Sequence, residues 1–304
     1  MAQPFTTRLP EFRRWPDASV AEGEAEDLAD FLMKHRRTLV LSGAGISAAS
    51  GIPAYRDGEG RWQHSQPMQY QHFMGSEQAR RRYWARSYLG WPRMRAAEPN
   101  PAHFALARLQ ALAYLTGVVT QNVDGLHERA GTADVIALHG RLSRVHCQDC
   151  GHYRHREAHQ QALEALNPDW RARVRRVNPD GDAELADGDY ATFHPAPCPE
   201  CGGRLKPDVV MFGENVPPPR VEAVRAAVNQ CDAVLVVGSS LVVWSGYRIV
   251  RQAHQAGRPV IAINQGRTRA DDLLHFKVAE PCQDALQRCL GILTARSRPE
   301  VPFP

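Results

Sequence analysis

The apolar segment Thr38-Leu39-Val40-Leu41-Ser42 runs directly into Gly43-Ala44-Gly45-Ile46-Ser47-Ala48-Ala49-Ser50-Gly51-Ile52-Pro53, and no other junction constrains the fold as much. A buried strand that empties into a loop of glycines and small residues lets backbone amides close on a diphosphate, the physical need of a dinucleotide site. The loop departs from the common fingerprint: a third glycine at the usual spacing is missing, and Gly51-Ile52-Pro53 breaks the helix that should follow. Alone, Gly-x-Gly is equally compatible with a tight strand-to-helix turn. Tyr55-Arg56-Asp57 moves the reading toward a nucleotide, since Arg56 brings a guanidinium able to pair with phosphate and Asp57 a carboxylate just past the glycines.

The rest of the chain fits a layered α/β protein. Leu28, Phe31, Leu32 and His35 recur at helical spacing within residues 22–37. Short, nearly continuous apolar runs at 115–120, 135–138, 209–212, 233–237 and 259–263 read as strands buried on both faces of a parallel sheet. Helices are expected at 101–112, 219–230, 246–256 and 284–293. The alternation predicts a Rossmann-like, doubly wound sheet assembled from residues 1–60, 99–140 and 207–304. Two insertions interrupt it. Residues 61–98, rich in Trp, Tyr, Arg and Gln, read as a helical module over the site; residues 141–206 read as a small metal-held domain with a polar middle at Asn178-Pro179-Asp180-Gly181-Asp182.

Several expected strands end in polar residues: Ser42, Thr120-Gln121-Asn122, His139-Gly140, Gly238-Ser239-Ser240 and Asn264-Gln265-Gly266. Ligands of open α/β sheets bind beyond the carboxyl ends of the strands, so these separate segments are expected to converge. His139 is the side chain there whose ordinary pKa suits proton abstraction near neutrality, although a histidine in this position more commonly caps its strand. Gln121-Asn122-Val123-Asp124 offers hydrogen-bonding amides and a carboxylate suited to ribose hydroxyls and a carboxamide, or alternatively a helix cap at Asn122 or Asp124.

Four of the seven cysteines form two Cys-x-x-Cys pairs, Cys147 with Cys150 and Cys198 with Cys201. In a reducing compartment such pairs read as zinc ligands, and glycine follows the second cysteine of each. Taken as a set of four thiolates, they saturate one ion and leave no open position, so the zinc is expected to be structural. Cys231, Cys282 and Cys289 read as small buried residues.

Composition narrows the class. A formal charge of +4 over 304 residues is too small and scattered for a nucleic-acid binder, and the basic run at 171–176 reads as a solvated helix face or loop. No run of 18 uncharged apolar residues occurs, and the N-terminus lacks the apolar core of a secretory signal. A cytoplasmic protein is expected, with an organelle transit peptide as the lesser alternative. The oligomeric state is left open, a monomer being the simplest reading.

GAGISAASGIPAYRD (43–57), TQNVDGLH (120–127), LHG (138–140), the cysteine pairs, VVMFGENVP (209–217), VGSSLVV (237–243) and INQG (263–266) together resemble the sirtuins, NAD-dependent protein-lysine deacylases, over residues 38–289. Residues 69–92 and 242–248 look like the class II branch that includes a mitochondrial member. The resemblance implies that NAD is consumed as a co-substrate: the acyl-lysine oxygen attacks the ribose as nicotinamide leaves. His139, as base, then activates a ribose hydroxyl to take the acyl group, giving O-acyl-ADP-ribose and free lysine. It further implies that Asn122, Asp124 and Ile52 line a nicotinamide pocket and that Gln121 contacts ribose. Ala44, Ser239 and Ser240 would meet the phosphates with Arg56 closing over them, Asn264 would hold the adenosine ribose, and the backbone at Cys282 would lie against adenine. Gly43, Gly45, Ser47, Gly51, Pro53, Tyr55, Asp57, Gly238, Gln265 and Gly266 complete the implied cofactor contacts. Val210, Met211, Phe212, Gly213 and Glu214 would pair in β fashion with an acyl-lysine protein substrate. The preferred acyl group stays open: a desuccinylating branch uses a Tyr and an Arg in the acyl pocket, and Tyr70 and the module's arginines do not align securely with that pair. Protein mono-ADP-ribosyl transfer from the same site is the alternative activity.

Overall fold

A computed structural model describes residues 15–17, 19–55, 63, 67–186 and 190–297. The helix α1 (Ala25–Lys34) leads into β1 (Thr38–Ser42). A 3-10 turn over Ala44–Ser50 follows, closed by Gly51 in the left-handed conformation, so the break expected at Gly51 is a true helix stop. Next come α2 (Tyr70–Gly75) and α3 (Glu77–Ala96), the latter capped by Ser76, whose hydroxyl accepts from Ala79 N at 3.1 Å. Then follow α4 (Pro101–Ala111), β2 (Leu115–Thr120), the short α5 (Leu126–Arg129) and β3 (Val135–Ala137).

The second insertion carries β4 (Gly140–Cys147), β5 (Tyr153–His155), α6 (Arg156–Leu166), β6 (Val174–Val177), β7 (Ala183–Leu185) and β8 (Leu205–Val209). The chain then returns through α7 (Pro218–Gln230), β9 (Ala233–Val237), α8 (Trp244–Gln255), β10 (Val260–Ile263), β11 (Lys277–Val278) and α9 (Cys282–Arg296).

The main sheet runs β11-β10-β9-β1-β2-β3 with every neighbouring pair parallel. All residues of β1, β9 and β10 are buried, because helices cover both faces: α1, α4 and α9 on one, α7 and α8 on the other. From β1 the chain steps outward to β2 and β3, whereas β9, β10 and β11 step away on the opposite side. The crevice at the carboxyl ends of β1 and β9 is therefore the topological switch point, where open sheets bind ligands.

Residues 209–212 do not form the expected strand of this sheet. Instead β8 ends at Val209 and pairs antiparallel with β4, in a three-stranded sheet β5-β4-β8. Beyond it Val210 N donates to the His139 carbonyl at 2.8 Å, and Phe212 bridges to Gln69. An apolar run signals burial without saying against which sheet, and here hydrogen bonding to the second sheet prevails. The basic run likewise ends in β6, whose first residues are exposed, rather than in a helix.

The two insertions share one core. Phe73, Tyr83 and Trp84 from α2 and α3 pack with Val145, Leu163, Phe193 and Leu205. Trp84 Nε1 donates to the Leu205 carbonyl at 3.2 Å, and the buried Arg156 donates to the Ser87 carbonyl and hydroxyl while its guanidinium faces Trp84 and Trp91. No helix among the described residues is long and apolar enough to cross a membrane.

Candidate functional site

The loops after β1 and β9 meet at the switch point. Gly45 N donates to the Gly238 carbonyl at 2.8 Å, and a methyl group at Gly45 would stand 2.8 Å from that oxygen. Gly238 (φ 61°) faces the same restriction, since its Cβ would lie 2.4 Å from Ile46 N. Only glycine permits two backbones to approach this closely and leave their amides toward the crevice.

A crevice of about 930 Å³ opens beyond these loops. Its walls bring together segments far apart in sequence: Gly43, Ala44, Gly45, Ser47, Gln121–Asp124, His139, Val210–Glu214, Gly238–Ser240, Asn264–Gly266 and Cys282 all border it, as do Ile52 and Tyr55. Gly51 and Pro53 instead border a smaller adjoining pocket with Ile52. Arg56 and Asp57 lie outside the described residues.

The polar side chains are held before any ligand arrives. Asn122 Nδ2 donates to the Gly43 carbonyl and to Ser47 Oγ, both at 3.1 Å. Ser47 Oγ donates to Asp124 Oδ2 at 2.7 Å, and Leu126 N donates to Asp124 Oδ1 at 3.0 Å; the N-cap of α5 is Gly125, so Asp124 stands one residue before the cap position expected for it or for Asn122. Burial raises the Asp124 pKa against these hydrogen bonds. Gln121 Nε2 donates to Ser239 Oγ at 2.8 Å, tying the end of β2 to the loop after β9.

His139 is fixed at both ring nitrogens. Nδ1 lies 3.0 Å from the Gln121 carbonyl and Nε2 2.7 Å from Ser245 Oγ. Because a carbonyl only accepts, Nδ1 carries the hydrogen and Nε2 is the basic nitrogen of the neutral ring. Burial, with Arg220 nearby and opposed by the Gln121 hydrogen bond, lowers its pKa to about 4. The ring is accordingly neutral and able to accept a proton at physiological pH. Gly140 follows at φ 87°, where a side chain would meet the Asp208 carbonyl at 1.9 Å.

The turn after β8 is equally braced. Glu214 accepts from Met211 N at 2.8 Å and pairs with the buried Lys206 at 3.0 Å. From α2, Gln71 Nε2 donates to the Gly213 carbonyl and Tyr70 N to that of Phe212. Tyr70 itself turns its ring toward Lys206 and does not border the crevice.

Cys147, Cys150, Cys198 and Cys201 converge with all four sulfurs within 4.8 Å of one another; the 147–201 and 150–198 separations are 3.5 and 3.8 Å. A tetrahedral zinc with bonds of about 2.3 Å demands sulfur separations of about 3.8 Å, so this donor set fits one zinc ion. The ligands are thiolates alone, and the function they support is structural.

Some site residues carried no sequence signal strong enough to single them out. Ser245, in the first turn of α8, reaches the site through one hydroxyl, and Asn100, the N-cap of α4, braces the glycine loop through one amide. Pro179 and Asp180, read as the polar middle of the small domain, reach the crevice, and Asn178 and Asp182 beside them are buried. Acidic residues on either side of a glycine resemble a surface turn until tertiary packing encloses them.

The Sir2 family model matches residues 43–245, two thirds of the chain. The chain belongs to the Sir2 family. A curated Sir2 relative from Bordetella bronchiseptica, named NAD-dependent protein deacetylase, is 51% identical over 263 residues, covering 86% of this chain and 96% of its own. One of the same name from Xanthomonas axonopodis pv. citri is 52% identical over 259 residues, covering 85% and 88%. Among solved structures, a Sir2 chain with p53 peptide and NAD+ superposes with a TM-score of 0.73 at 27% identity, covering 90% of this chain and all of that one. A Sir2 complex with deacetylated p53 peptide and 3′-O-acetyl-ADP-ribose gives 0.70 at 25% identity, covering 89% and 98%.

Proposed function

We propose that this sirtuin is an NAD-dependent protein-lysine deacylase, a deacetylase, that passes the acyl group of lysine to ADP-ribose and releases nicotinamide. The observation that carries the reading is the neutral His139, its basic Nε2 at the switch-point crevice opposite the glycine loop. NAD, when bound, supplies a nicotinamide–ribose bond whose cleavage allows the acyl group to leave as an ADP-ribose ester.

The chain's own groups divide the remaining work. Ala44, Ser239 and Ser240 border the crevice, where their amides suit the diphosphate. Asn122 and Asp124, with Ile52, suit the nicotinamide end, and Gln121 suits ribose. Asn264 and Cys282 suit the adenosine end, where both border the crevice. Residues 210–214 border the crevice and suit an extended acyl-lysine peptide through the main-chain groups not already bonded within the turn, a mode that gives affinity with little sequence selectivity. His139 accepts the hydroxyl proton at Nε2.

The class II reading rests on residues 69–92 and 242–248. The division into an NAD-binding unit, a helical unit at 61–98 and a zinc unit at 141–206 remains our reading of the chain's organisation. A reducing cytoplasm suits both the thiolate cluster and the supply of NAD.

The test is incubation of acyl-lysine peptides carrying acetyl, propionyl, succinyl, glutaryl, lipoyl or long-chain groups with NAD, reading nicotinamide release and peptide mass. Loss of the acyl mass with O-acyl-ADP-ribose supports the proposal. ADP-ribose added to protein, with no acyl loss from any peptide, replaces it with mono-ADP-ribosyl transfer.

A further inference from the structure

The proposed base is held from two directions, and one of the two partners has no assigned role. His139 Nδ1 is 3.0 Å from the Gln121 carbonyl, so in the neutral ring Nε2 must accept, and the only hydrogen it can accept from Ser245 Oγ, 2.7 Å away, is that of the hydroxyl. Ser245 stands in the first turn of α8 and borders the crevice. Its neighbour Gly246 locks the helix there, since a Cβ at that position would lie 2.5 Å from Gln121 Oε1. One residue, Gln121, thus abuts the helix that carries Ser245 and also supplies the carbonyl that holds Nδ1.

We propose that Ser245 is a positioning residue for the deacylation: its hydroxyl donates to His139 Nε2, keeps the imidazole in the Nδ1–H tautomer with Nε2 toward the crevice, and occupies the place that the substrate hydroxyl takes. The assignment rests on the deacylase reading. On the productive path the substrate hydroxyl displaces the Ser245 hydrogen from Nε2, gives its proton to Nε2 and bonds through its oxygen to the acyl carbon, while the π pair between that carbon and the lysine nitrogen moves onto the nitrogen. The serine hydroxyl then rotates, and its oxygen can accept from the imidazolium. Arg220 of α7 acts on the ring by charge and is itself paired at 2.6 Å to Asp208 of β8; Ser245 adds no charge, so its effect is on orientation and tautomer.

The experiment compares wild type with Ser245→Ala and Ser245→Thr, using acetyl-lysine peptide and NAD. For Ser245→Ala, kcat for deacylation is expected to fall roughly tenfold, the scale of one lost hydrogen bond, with KM for NAD and for peptide within about twofold of wild type. Exchange of labelled nicotinamide into NAD, which reports bond cleavage before proton transfer, should be retained. A hydroxyl that donates to the neutral ring favours that form, so its loss moves the acidic limb of kcat/KM to higher pH, and Ser245→Thr should restore both rate and profile. An active wild type with unchanged kcat and pH profile in Ser245→Ala overturns this assignment alone, as does a loss spread equally over exchange, KM and melting temperature. A wild type that deacylates none of the peptides overturns the assignment together with the reading beneath it.

Discussion

Asn100 donates through Nδ2 to the Ile46 carbonyl at 2.7 Å and to Ser50 Oγ at 2.9 Å, while its Oδ1 caps α4 by accepting from Ala102 N at 2.9 Å. One buried side chain therefore starts a core helix and pins the glycine loop. The two jobs separate chemically, because Asn100→Asp keeps a capping oxygen and removes the donor. We expect the variant to raise KM for NAD about fivefold or more, the scale of one buried carbonyl left without its donor, with a melting temperature near that of wild type. Steady-state kinetics and thermal denaturation check it; an unchanged KM with a lowered melting temperature would show the amide to be structural only.

Asp124 stores a conflict between stability and function. Burial raises its pKa, so ionisation costs folding free energy at neutral pH, yet Ser47 and Leu126 hold the carboxylate in place. Asp124→Asn keeps an acceptor for Leu126 N and removes the charge. With Asp124 in its proposed place at the nicotinamide end, the expected result is an unchanged or higher melting temperature together with at least about a hundredfold loss of nicotinamide release. A variant that loses stability and activity in parallel would contradict this account.

Three buried histidines and the half-buried His139 set the acid response. Burial lowers the pKa of His103 and His159 to about 3 and of His127 and His139 to about 4; neighbouring His127 adds to the effect on His103, and Arg156 to that on His159. Each is neutral in the fold and binds a proton on unfolding below its ordinary value of about 6.5. The unfolded chain then holds more protons, so stability is full above about pH 6.5 and falls as pH drops toward 4. The slope is at most about 1.4 kcal/mol per pH unit for each histidine. Denaturant unfolding at pH 7, 6 and 5 should show this decline, reduced in His103→Gln; a flat profile would mean that the rings are hydrated.

The thiolate cluster joins the β4–β5 turn to the approach to β8, so removing its metal should loosen the core shared by both insertions. A zinc assay is expected to return one ion per chain. Strong chelation should abolish activity and expose Trp84 to quencher while the main sheet keeps its circular dichroism. Full activity in zinc-free protein would remove the cluster from the account.

What the sequence made legible follows the range of each signal. Strands β1, β2, β9 and β10 announce themselves because helices bury both faces, leaving unbroken apolar runs. The cysteine spacing and the polar strand ends also survive in one dimension. The run at 209–212 misleads because burial carries no record of partner, and the structure spends it between β8 and the turn that follows. Ser245, Asn100 and Asp180 matter through His139, Ile46 and Tyr55, which lie 106, 54 and 125 positions away in sequence, the last pair being linked by charge.

The central claim is tested most directly by mass spectrometry of one acetyl-lysine peptide incubated with NAD and either wild type or His139→Ala. The account predicts that wild type converts the peptide to free lysine with one O-acetyl-ADP-ribose formed per lysine, and that His139→Ala, folded and still binding NAD, lowers this rate at least a hundredfold. An alanine variant that deacetylates at the wild-type rate would contradict it.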